Sequence, residues 1–115
     1  MKIEQLEPKP TEKQIFHLSA FNTIPKSSGC YVLASPLDDI LYIGLTKNFY
    51  IRFKQHLKDT KKTSLTAAGR PHWFYYYEYD INNLEKLERT WIQQFENNNV
   101  NGHSPILNEK SSPIH

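Results

Sequence analysis

Two strand-length apolar runs, Gly29–Ala34 and 40–45, are separated by the five residues Ser35-Pro36-Leu37-Asp38-Asp39. A turn rich in Pro and Asp between two such runs leaves the chain little choice but a β-hairpin. The hairpin also dictates where two aromatic side chains meet. Tyr31 and Tyr42 stand eleven residues apart, one on each strand, so pairing the strands brings two phenol rings together. Gly44, two residues after Tyr42, has no side chain and so lets the backbone approach closely.

Thr46-Lys47-Asn48 ends the second strand, and Asn48 is placed to cap a helix over 49–58. Phe49, Phe53 and Leu57 recur every fourth residue as its buried stripe. Arg52 and His56 share the same spacing, so they stack on one face and can address one ligand. They can equally be an exposed pair that keeps the helix soluble.

Upstream, residues 1–10 are polar, end in Pro8-Lys9-Pro10 and read as a loose tail. Thr11 is expected to cap a short helix over 12–21 that buries Ile15, Phe16 and Leu18. Downstream, 59–71 reads as a mobile basic loop, and 72–80 as a strand. That strand puts Trp73, Tyr75, Tyr77 and Tyr79 on one face and Phe74, Tyr76 and Glu78 on the other. Such a set is more often sheet core than a platform for stacked bases. A final helix is expected over 82–96 with the stripe Leu84, Leu87, Trp91, Ile92 and Phe95. Glu88 falls inside this stripe, whereas Glu85, Lys86, Arg89, Gln93 and Glu96 point elsewhere. A carboxylate on a buried face requires a partner: an arginine, a hydroxyl or a metal ion. Asn108, three residues after Pro105, can return to the sheet and orient the site by hydrogen bonds through its amide, or it can be a plain turn asparagine.

The chain of 115 residues is one domain with a modest core, 38% hydrophobic and 13% aromatic. It divides into 1–28 (tail and short helix), 29–108 (the core domain) and 109–115 (a C-terminal tail). No apolar run approaches the ~20 residues of a membrane span. Met1-Lys2-Ile3-Glu4 leads into charge, not into a signal peptide, and the lone Cys30 sits mid-strand. Both favour a reducing, cytoplasmic setting. The net charge of +2 says little, but Lys47, Arg52, Lys54, Lys58, Lys61, Lys62 and Arg70 face a single nearby acid, Asp59. That block is either a solvated face or a footprint for phosphates.

The run Gly-x-Tyr, ten residues, Tyr-Ile-Gly-x-Thr-x-Asn, then Arg and His, resembles the GIY-YIG endonuclease family. The resemblance covers about 29–108 and implies an α+β fold with a small three-stranded antiparallel sheet flanked by helices. It implies phosphodiester hydrolysis in DNA with one divalent ion, Mg²⁺ or Mn²⁺. It places the family's tyrosines on Tyr31 and Tyr42, its arginine on Arg52 with His56 one turn later, its metal-binding glutamate on Glu88 and its terminal asparagine on Asn108. Cys30 replaces the usual Ile, Val or Leu. A further Lys or His after the first helix falls on Lys58, Lys61, Lys62 or His72. In this reading Tyr31 is the general base, its pKa lowered by Arg52 or by the ion's water shell; alternatively it positions the water while His56 takes the proton. Lys47, Lys54, Lys58, Lys61, Lys62 and Arg70 contact DNA. A single site makes a nick, so cutting both strands needs a homodimer or two encounters, and a protein partner can supply targeting. The rival readings are a non-catalytic binding module on this fold and a purely structural domain.

Overall fold

The computed structural model describes residues 1–108, and the tail expected over 109–115 lies outside them. The hairpin forms as its turn dictates: β2 (Gly29–Ala34) pairs antiparallel with β3 (Ile40–Thr46). Asp38 takes a positive φ of 68° in the turn, a conformation Asp tolerates better than most residues. The aromatic segment forms β4 (Trp73–Glu78) on the other side of β2, also antiparallel. Every residue of β2 is buried, because both of its edges and both of its faces are covered.

The sheet has four strands, in the order β1-β4-β2-β3, where three were expected. The extra strand is β1 (Glu12–Ile15), in the segment read as a helix; a 3-10 helix over Leu18–Thr23 follows it. Only Phe16 of the three expected core residues is buried; Ile15 is 38% and Leu18 68% exposed. The reason is tertiary. The outer edge of β4 has backbone groups that need partners, and β1 supplies them from Glu12↔Tyr76 to Ile15↔Trp73. Lys13 adds its ammonium 3.9 Å above the Trp73 ring centre.

Residues 1–8 are no loose tail either. Ile3 and Leu6 are buried. Trp91 donates its indole N–H to Pro8 O at 2.8 Å, and Gln94 exchanges two hydrogen bonds with the Glu7 backbone, at 2.9 and 2.7 Å. Polar side chains of a helix fasten this strap, a pairing that local periodicity does not reveal.

Helix α1 (Phe49–Lys58) covers one face of the sheet, and Asn48 caps it by accepting from the Ile51 N–H at 3.1 Å. Phe49 and Phe53 pack there on Phe74, with Tyr31, Leu33 and Tyr76. The expected mobile loop contains a further turn of helix, α2 (Thr60–Thr63), capped by Asp59. Helix α3 (Leu84–Asn97) covers the opposite face and buries Leu87, Trp91 and Phe95 against Cys30, Val32 and Ile43. Among the described residues no helix is long and apolar enough to cross a membrane.

Candidate active site

The β3 end of the sheet sets the geometry. Here α1 lies on one side and α3 on the other, and between them opens a cleft of about 790 Å³. Its floor is Tyr42, Leu45 and Thr46. Lys47, just before α1, and Ile51, Arg52 and Gln55 on it form one wall, and Glu85, Glu88, Arg89 and Ile92 of α3 the other. Residues distant in sequence thus converge because one edge strand carries helices on both faces.

Tyr31 stands directly across from Gly44, not from Tyr42, in the β2–β3 register. The tyrosines are therefore diagonal neighbours, with ring centres 5.9 Å apart. Gly44 makes this possible. A Cβ there would lie 2.6 Å from the Tyr31 hydroxyl oxygen and 2.7 Å from Cε1 of Tyr42. Gly44→Ala is accordingly expected to displace the Tyr31 phenol. It should lower any hydrolytic rate by about 10²-fold and stability by about 1–3 kcal/mol. Thermal unfolding and single-turnover kinetics check the two effects; wild-type values in both would show that the packing tolerates a methyl group.

Tyr31 is fully buried, and its hydroxyl lies 2.6 Å from Nε2 of His56, itself only 6% exposed. Burial, followed by the neighbouring Tyr42, pushes the Tyr31 pKa well up; Arg52 pulls it down as expected, but less strongly. Tyr42, not Tyr31, is the phenol that lines the cleft. His56 also packs edge-on against Tyr42, with ring centres 5.3 Å apart.

Lys62 is 5% exposed, so it belongs to the interior and not to a surface footprint. Its ammonium lies 4.6 Å from the Tyr42 ring centre. Burial is the main cause of its lowered pKa; Asp59 opposes the shift, while Lys61 and Arg52 reinforce it. Of the four candidates for the further basic residue, Lys62 is the one over a motif tyrosine. Its signal in the sequence is faint, a lysine in the third position of a short capped turn. Lys47 lines the cleft. Lys54 lies 5.2 Å from the Phe21 ring centre instead, and Lys58, Lys61 and Arg70 are exposed.

Glu88 is half-buried on the α3 wall. Burial raises its pKa, Glu85 raises it further, and Arg89 opposes both. Glu85 and Arg89, expected to point elsewhere, share the cleft because positions three and four apart on a helix lie side by side. A half-buried carboxylate with a second, exposed one beside it suits a hard divalent cation, which relieves the desolvation of Glu88 and its repulsion by Glu85 together. Among the described residues no group of three or more His, Cys, Asp or Glu is placed to hold a metal. One or two carboxylates fit an ion such as Mg²⁺, which keeps several of its own waters.

Asn108 braces the site from outside the cleft. Its amide accepts from the Ile43 N–H at 2.9 Å and donates to the Ile43 carbonyl at 2.8 Å. Ile43 lies between Tyr42 and Gly44 on the outer strand, so one side chain satisfies the sheet edge where the site needs rigidity. Burial, then Glu88, pushes the Cys30 thiol up to about 12.

Tyr42, Arg52 and Glu88 thus line one cleft at the β3 edge of the sheet. The chain belongs to the family described as the GIY-YIG catalytic domain, whose model matches residues 27–101. Membership implies nuclease activity in general. Comparison with curated proteins found no match.

Proposed function

We propose that this protein is a metal-dependent DNA endonuclease that hydrolyses one phosphodiester bond per encounter. The observation that carries the reading is the convergence of Tyr42, Arg52 and Glu88 on a single cleft. The planar fork of Arg52 holds two oxygens of the scissile phosphate. Glu88, with Glu85 beside it, would hold one Mg²⁺ or Mn²⁺. That ion, when bound, supplies charge relief on the phosphate and on the leaving oxygen.

Tyr42 orients the attacking water at the cleft wall. The water's proton passes into the tyrosine pair, and His56 Nε2, 2.6 Å from the Tyr31 hydroxyl, receives it. Each phenol gives up one proton as it gains one. Neither has to persist as a phenolate, the state that burial of Tyr31 penalises. Lys62 sits over Tyr42 and Asn108 holds Ile43, so both act as positioning residues.

The first test is cleavage of end-labelled duplex DNA in Mg²⁺, Mn²⁺ or EDTA. Products that appear only with the metal are expected. Binding without cleavage on duplex and branched DNA alike would favour the non-catalytic module. A second test addresses Lys47, Lys58 and Lys61, proposed with Arg70 as surface contacts. Changing these three lysines to Ala should weaken binding to every sequence and lower the slope of log affinity against log salt by about 2–3. An unaltered slope would remove them from the interface.

A further inference from the structure

Arg89 is a second guanidinium in the cleft, unused in the proposed mechanism. It follows Glu88 directly on α3, and it lines the wall that faces Arg52 of α1. Glu85 stands four residues before it, the spacing at which a helical ion pair readily forms. No such pair closes within 4.0 Å between Glu85 and Arg89, both of them described residues. Nor does the Arg89 side chain donate a hydrogen bond among the described residues. An arginine's five donors match phosphate geometry, and here they border a cavity whose other wall carries Arg52 and Lys47. We propose that Arg89 binds the backbone phosphate next to the one held by Arg52, so that forks on opposite walls bracket the scissile bond.

The inference rests on the nuclease reading and goes beyond it, because it assigns the register of the strand in the cleft. It competes with a plainer role in which Arg89 only tunes its neighbour, since its charge opposes the rise in the Glu88 pKa. The two roles move different observables. A phosphate contact contributes counterion release, about 0.9 in the salt slope on duplex DNA. A tuning charge alters the Mg²⁺ concentration required for half-maximal rate.

The experiment compares wild type, Arg89→Ala and Arg89→Lys on one short DNA duplex, measuring binding between low and moderate salt and cleavage across an Mg²⁺ titration. Arg89 is exposed, so the variants should fold normally, and thermal unfolding verifies this. The expected result for Arg89→Ala is a KM raised about 10-fold, a salt slope lower by about 0.9 and a kcat changed less than about 3-fold. Arg89→Lys should recover the slope and only part of the affinity, because a point charge replaces a fork. An unchanged salt slope, with or without a displaced Mg²⁺ midpoint, overturns the proposal while leaving the nuclease reading intact. Wild-type protein that neither binds nor cuts DNA overturns both.

Discussion

Glu88→Gln should slow DNA cleavage by on the order of 10³-fold, the scale of several kcal/mol of charge stabilisation at a metal-assisted transition state. DNA affinity should change by only a few fold, because the phosphate contacts lie on other residues. Folding should be unharmed. Glu88 is half-buried with a raised pKa, which means that its charge is disfavoured by burial and by Glu85. Amidation removes that unfavourable charge, so the midpoint of thermal unfolding should hold steady or rise slightly. Lost activity with kept stability is the pattern of a group retained for chemistry at the expense of the fold. A variant that unfolds, or one that cuts normally, would make Glu88 structural or peripheral.

The second large effect concerns the buried proton path. Tyr31→Phe removes the hydroxyl 2.6 Å from His56 Nε2 and should lower kcat by about 10²-fold. His56→Ala should cost a similar amount. The double variant should be little worse than either, because residues that act as one unit are not additive. Single-turnover rates for the three proteins decide the matter. Losses that multiply would mean that the two side chains work independently. A loss of only a few fold for Tyr31→Phe, beside a large one for Tyr42→Phe, would assign the essential proton transfer to the cleft-facing phenol.

The hairpin is legible in the sequence because its signals are local, a turn of fixed chemistry between two apolar runs; its register, with Gly44 opposite Tyr31, is seen only in the fold. The helix stripes of α1 and α3 are legible for the same reason. Other features are not. The β1 segment reads as helical by periodicity, but the unpaired edge of β4 converts it into a strand. The N-terminal residues read as polar, yet two apolar side chains among them complete the core beside α3. Periodicity places Glu85 and Arg89 off the apolar stripe, and both are exposed, but a helical wheel does not show that their face borders a cleft. Lys62 misleads in the opposite sense. A basic run suggests surface, and only the fold shows that one of its lysines turns inward over Tyr42.

The central claim is that this cleft hydrolyses DNA through Glu88. The most direct measurement is nicking of supercoiled plasmid by wild-type protein and Glu88→Gln, purified in parallel and assayed with Mg²⁺ and with EDTA. The account predicts open circles from the wild type in Mg²⁺ alone and almost none from the variant. Equal nicking by both proteins, or nicking that survives EDTA, would contradict it.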